Sequence, residues 1–264
     1  MKPGVYVAKK KDGTTYYRSS VTYHNKHISL GSYVSEELAH RAYTEALSLL
    51  SEKQSVIQHS NRNTLPFEKW VILVNYRDNQ VYIKNPIYLR NRYFEYYLDK
   101  NKVLKFDIED LFYYSEHKIS VRKGHLFVAD YGMQVSIASR YGIKNYAVIN
   151  KDYRFVNGDT SDFRYENIEI INHYAGVSHH IKHGNPYYQT IIHINGNFII
   201  GRYKTEVEAA IAYNKAADFL KQNGINRNYP QNYIENLPPS AYADIYTKLV
   251  LPDKILNFRQ PGSI

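Results

Sequence analysis

Two stretches of this chain read alike. One is GVYVAKKKDGTTYYRSSVTYHNKHISLGSYVSEELAHRAYTEAL, residues 4–47. The other is GVSHHIKHGNPYYQTIIHINGNFIIGRYKTEVEAAIAYNKAADFL, residues 176–220. Gly4, Tyr17, Gly31, Tyr33, Ala39, Ala42, Tyr43 and Ala46 align with Gly176, Tyr188, Gly201, Tyr203, Ala209, Ala212, Tyr213 and Ala216. In the first copy, residues 4–9, 16–23 and 27–31 have strand composition and are separated by KDG and HNK turns. Alternation puts Tyr17, Ser19, Val21 and Tyr23 on one face of the middle strand, and Arg18, Ser20, Thr22 and His24 on the other. A helix is predicted over 35–50, with Leu38, Ala39, Ala42, Tyr43, Ala46 and Leu47 on one side. In the second copy Ala209, Ala210, Tyr213, Ala216, Ala217 and Leu220 form the matching face, and Thr205 with Glu208 makes a capping box. A lone three-stranded sheet is marginal, so the helix must supply the core and the other sheet face is left exposed.

The rest of the composition bounds the partners. The chain has 264 residues, 34 Lys and Arg against 25 Asp and Glu, and a net charge of +9. Such a balance favours an anionic partner, most often nucleic acid. There is no cysteine, which excludes disulfide scaffolds, thiolate zinc sites and cysteine nucleophiles. No apolar run approaches a membrane span of about 20 residues, and the N-terminus lacks the apolar centre of a signal peptide. The expectation is a cytoplasmic protein without membrane contact. The 28 tyrosines suit stacking on bases, but their AT-rich codons explain them equally well.

The repeat resembles the AP2/ERF DNA-binding domain. The shared marks are the opening Gly-Val, the aromatic-led middle strand, LGSY (30–33) or IGRY (200–203), and the alanine- and tyrosine-bearing helix. In that family the exposed sheet face lies in the DNA major groove. The resemblance assigns base contact to Tyr6, Ala8, Lys10, Ser20, Thr22, His27 and Ser29 in the first copy. In the second it assigns Ser178, His180, Lys182, Ile191, His193, Asn197 and Ile199, with Gln189 beside them. The Arg and Trp residues of the plant domains are missing from these positions, so guanine reading by bidentate Arg is not expected. Asn197 suits adenine, and Ile191 or Ile199 suits thymine methyls. Lys9, Lys10, Lys11, Arg18 and Lys26 are assigned to phosphates, which add affinity without sequence information.

Between the repeats, YRFVNGDTSDFRYENIEII (153–171) resembles the HNH, or ββα-metal, nuclease motif. Val156, Asn157, Gly158, Asp159, Asp162, Arg164, Glu166, Asn167 and Ile168 keep its frame. An HNH-like segment followed by an AP2-like one is similar to phage-type homing endonucleases. The family's metal-binding Asp and water-activating His are replaced by Arg154 and Phe155, and the place of its second metal ligand falls on Gly176. Only Asn167 remains. The expectation is therefore no catalysis, no metal and no cofactor, with Phe155 packed in a local core and Arg154 offering charge to a phosphate. Asp159 and Asp162 are read as turn caps, and His173, His179, His180 and His183 as exposed or lying along a DNA-facing surface.

These readings give an α+β protein in which two AP2-like units, each a three-stranded antiparallel sheet plus helix, surround a degenerate ββα-metal HNH-like domain. The expected boundaries are 1–55 AP2-like, 56–68 linker, 69–173 HNH-like, 174–235 AP2-like and 236–264 a C-terminal helical tail that begins with a Pro-Pro-Ser helix signal. WVILVNY (70–76) is predicted as a buried strand, and 88–102 as a half-buried amphipathic element. The expected function is sequence-specific binding of double-stranded DNA at two subsites. It suits a transcription regulator of a phage, mobile element or AT-rich bacterium, with a homodimer as an option through the tail. An active nicking endonuclease and a protein-binding adaptor are the rival classes. A magnesium-dependent nick would mark the first, and salt-insensitive protein binding without DNA retention the second. RNA binding fits less well, because a sheet suited to a wide major groove does not suit A-form RNA.

Overall fold

A computed structural model describes residues 1–225 and 227–258. The end of the predicted tail, 259–264, lies outside the described residues. The contacts divide the chain into two compact units, one of residues 1–141 with 157–167, the other of 142–156 with 168–264. The fold is α+β, with small three-stranded antiparallel sheets and helices.

The first unit repeats one plan three times, a three-stranded antiparallel meander followed by a helix. It begins with β1 (Val5–Lys9), β2 (Thr15–Tyr23), β3 (Lys26–Tyr33) and α1 (Glu36–Ser51). After α2 (Phe67–Asn79) come β4 (Ile87–Leu89), β5 (Tyr93–Tyr97), β6 (Val103–Asp107) and α3 (Leu111–Glu116). Then follow β7 (Ile119–Arg122), β8 (His125–Asp130), β9 (Met133–Ser136) and α4 (Ile137–Arg140). Ser35 caps α1 by accepting from Leu38 N. The helix turns Ala39, Ala42, Ala46, Leu49 and Leu50 inward, so small residues let it lie close to the sheet. Leu38 and Leu47, predicted on that face, are exposed.

The stretch 70–76 is a helix, not the predicted strand. α2 buries seven consecutive residues, Trp70 to Tyr76, and packs into one core with Leu30, Leu49 and Tyr97. A helix covered on every side shows no period, and only its length separates it from a buried strand. The expected linker feeds the same core through Val56 and Leu65. Glu45 of α1 holds that segment, its carboxylate accepting from Thr64 N and Leu65 N at 2.9 and 2.8 Å.

The second unit contains the hairpin β10 (Tyr153–Phe155) and β11 (Ile168–Ile170), then β12 (Val177–Lys182), β13 (Asn185–His193), β14 (Asn197–Tyr203), α5 (Glu206–Gln222), α6 (Pro239–Lys248) and α7 (Asp253–Leu256). The capping box of Thr205 and Glu208 opens α5. α6 starts with proline, as its sequence predicts, and lies on α5. There Lys215, the counterpart of Glu45, donates from Nζ to Tyr246 O and Leu249 O, both at 2.7 Å. One helix position thus carries an anion for the entry of α2 and a cation for the exit of α6, each the sign its helix end favours.

The repeats agree in finer detail. Each middle strand changes register against the third, between Ser19 and Ser20 and between Thr190 and Ile191. Leu30 and Ile200 are the extra residues of these bulges, and both are buried. At such a bend alternation fails, and Ser19, Ser20 and Val21 are covered in succession.

Candidate nucleic-acid interface

On the first sheet, Tyr6 lies opposite Arg18, Thr22 opposite His27, and Ser20 opposite Ser29. Tyr6, Thr22, His27 and Ser29 are exposed and Ala8 half-buried. Ser20 is not available as predicted. It is 7% exposed, and its hydroxyl has no partner among the described residues. Arg18 is exposed, donates from Nη2 to Tyr16 Oη at 2.9 Å, and has its guanidinium carbon 5.6 Å from that ring's centroid. Lys9, Lys10 and Lys11 are exposed around the β1–β2 turn and form no ion pair among the described residues. Lys26 sits 4.9 Å over the Tyr82 ring, a cation–π contact the sequence did not suggest.

The second sheet repeats this face with different side chains. Ser178 lies opposite Gln189, Gln189 opposite Arg202, Ile191 opposite Ile199, and His193 opposite Asn197. Ser178 Oγ and His180 Nε2 are 2.9 Å apart, and His180 stacks on Tyr187 at 5.3 Å. Lys182 is exposed beside the β12–β13 turn. His193 Nδ1 donates to Asn197 Oδ1 at 3.0 Å, which orients the Asn197 amide. Ile199 is exposed and Ile191 half-buried. A cleft of about 690 Å³ runs along this face, its far wall formed by Tyr146, Val148, Lys151 and Asp152.

Arg202 escaped the sequence reading. Its Nε donates to Gln189 Oε1 at 3.3 Å, and its guanidinium lies 5.4 Å from the Tyr187 ring centroid. Tyr16 and Tyr187 are equivalent in the repeat. Each outer face therefore holds an Arg over the same tyrosine, delivered by β2 in one sheet and β14 in the other. The signal was present in IGRY (200–203), but only cross-strand register reveals it.

The nuclease-like stretch is divided between the two units, with 157–167 in the first and 153–156 and 168–171 in the second. Arg154 pairs across its hairpin with Glu169, Nε to Oε2 at 2.6 Å. Both side chains of this pair remain about half exposed. Phe155 is buried. In the first unit Asn167 accepts from Asn157 N at 2.8 Å and donates to Asp162 O at 2.9 Å. Asp159 accepts from Ser161 N, Ser161 Oγ and Lys105 Nζ. Asp162 accepts from Asn157 Nδ2 and twice from the Arg164 guanidinium. Among the described residues no three His, Asp or Glu side chains are grouped to hold a metal ion. Of the four histidines expected to be exposed, His173, which bonds Glu206, His179 and His183 are exposed, and His180 is half-buried.

Hydrogen bonds from Ser161 and Lys105 hold the Asp159 carboxyl down at about 2. Burial pushes Asp162 up, but the Arg164 hydrogen bonds and charge outweigh it and leave its carboxyl below the usual range. Both groups bind protons more weakly when folded than unfolded. Their stabilisation is complete above the unfolded value near 4 and is lost as pH falls toward 2. Denaturation midpoints should hold level from about pH 7 to 5 on account of these groups, then drop below 4. The drop should be shallower in an Asp159→Asn variant. An identical acid profile would remove Asp159 from the account.

No protein-family model matches the chain, no curated protein matches it, and no solved structure matches it. Among the described residues no helix is long and apolar enough to cross a membrane.

Proposed function

We propose that this is a DNA-binding protein that reads double-stranded DNA with the outer faces of its two repeat sheets. More particularly, it is a regulator of the AP2 type, built like a homing endonuclease whose HNH-like segment serves as scaffold. The observation that carries the reading is the pair of outward Arg-on-Tyr assemblies, Arg18 on Tyr16 and Arg202 on Tyr187, at equivalent places in two three-stranded sheets. A sheet of this size fits the major groove; Arg202, outside the family's contact positions, suits guanine there, and Arg18 suits a phosphate. The exposed lysines at 9–11 supply phosphate contacts. Two readers on one chain gain avidity when the subsites match their spacing.

The test is protection and strand-break mapping on AT-rich DNA from the protein's own locus, with magnesium present. Protection without breaks is expected. Replacing Lys10, Lys11 and Arg18 by alanine should weaken binding. It should also flatten the salt dependence by about 0.9 in log–log slope for each phosphate no longer neutralised. A nick that chelator abolishes would instead make the protein an active nuclease. Absence of DNA retention at low salt, on the locus and on a random library, would leave the adaptor reading.

A further inference from the structure

The sheet of β7, β8 and β9 lies within the segment expected to be HNH-like, and its two faces differ. Its inner face covers Ile119 and Val128. Its outer face carries Ser120, Arg122, His125, Phe127 and Gln134, placed together by the pairs Ser120 with Phe127, Arg122 with His125 and Ala129 with Gln134. Arg122 and Gln134 are exposed, and Arg122 donates from Nη1 to Gln134 Oε1 at 3.1 Å. The second repeat holds the same pairing of side chains on its outer face, Arg202 Nε to Gln189 Oε1 at 3.3 Å.

The tips agree as well. Lys123 and Gly124 have φ of 48° and 81°, and His183 and Gly184 have φ of 52° and 80°. Both are two-residue hairpin turns with two left-handed residues, a geometry that matches strand twist. Each is flanked by a cation, Arg122 in one and Lys182 in the other. Lys123 is exposed and forms no ion pair among the described residues. The acidic residue of this sheet, Asp130, sits at the far end of β8, 3.5 Å from His117 Nε2.

We propose that the outer face of β7–β9 is a third contact surface for double-stranded DNA. Arg122 and Gln134 meet base edges, and Lys123 meets a phosphate. The chemistry is that of the second repeat: Arg suits guanine, Gln suits adenine, and a preset hydrogen bond between them fixes both. The lysine at the tip has the charge a phosphate needs. This inference rests on the DNA-binding reading above.

The test uses the full chain and the DNA that wild type selects from a random library. Arg122→Ala/Lys123→Ala and, separately, Gln134→Ala are titrated by fluorescence anisotropy across a salt series and by footprinting. The double variant should lose at least about fivefold in affinity, as for one good bidentate contact. Its salt slope should fall by about 1 to 2, and its protected stretch should shorten. Gln134→Ala should relax sequence preference without changing the slope. Unchanged affinity, slope and footprint in both variants, while Lys10→Ala/Lys11→Ala weakens binding, would overturn the third surface and leave the two-sheet reading intact. If wild type retains no DNA at low salt, both fall together. If the double variant melts early, Gln134→Ala decides through its sequence preference alone.

Discussion

Replacing Arg164 by alanine is expected to lower the unfolding free energy by about 3 kcal/mol, the low end for breaking a buried ion pair. Asp162 is fully buried. Arg164 reaches it with two nitrogens, Nε to Oδ1 at 2.9 Å and Nη2 to Oδ2 at 2.7 Å. Without the guanidinium the carboxylate keeps the Asn157 amide and the Arg164 backbone N–H, so the loss is large but not total. The low end applies because the Arg164 side chain keeps 26% of its surface in water. The loop it closes also adds to β6, through Lys105 N to Ser161 O and Phe163 N to Lys105 O. Opening it therefore disturbs the sheet of β4–β6. Converting both partners, Arg164→Met with Asp162→Asn, should cost less than the single change, because no buried charge is stranded. Denaturant midpoints and slopes measure both. A cost under about 1 kcal/mol for Arg164→Ala would place the pair with exposed surface bridges.

The same loop shows why part of the molecule could be read from sequence and part could not. Asp159 and Asp162 stand in a short polar stretch, and such residues cap turns through bonds two positions along. Here the cap reading describes the geometry, as Asp159 does accept from Ser161 N and Asp162 from Arg164 N. The strands and helix of each repeat were legible for a similar reason. Alternation, turn glycines and the Thr205–Glu208 box are local signals. What failed was non-local. α2 lost its period because Leu73 and its neighbours are covered all round. Ser20 was placed outward by strict alternation, and the bulge beside it broke the count. Arg202 could not be joined to Gln189 and Tyr187 without cross-strand register, and the β7–β9 face needed the same knowledge to connect Arg122 with Gln134.

Gly176→Ala is expected to destabilise the second unit by about 2 to 4 kcal/mol, combining left-handed backbone strain with overpacking. Gly176 has φ +69°, and an added Cβ would overlap the Tyr213 ring and the carbonyl oxygen of Ile191. The ring cannot retreat easily, because Tyr213 is 6% exposed in the core with Ile192, Ala216 and Leu220. Gly4 repeats the arrangement at φ +74° against Tyr43, which explains why glycine and tyrosine recur together in both copies. A double-mutant cycle separates the two causes. In a Tyr213→Ala background the overlap with the ring is gone, so the Gly176→Ala penalty should shrink toward the left-handed strain plus the remaining overlap with the Ile191 carbonyl, with a coupling of about 1 to 3 kcal/mol. Equal penalties in both backgrounds would assign the effect to the backbone alone. Function should follow the packing. Gly176 O accepts from Ile191 N at 2.7 Å, beside the bulge that sets which residues of β13 face outward. Strain there displaces Gln189 and Ile191 together, so under the proposed DNA-binding function affinity should fall in Gly176→Ala even at temperatures where the variant is fully folded. Unaltered affinity in that folded range would mean that the bulge, and not the packing at Gly176, fixes the outer face.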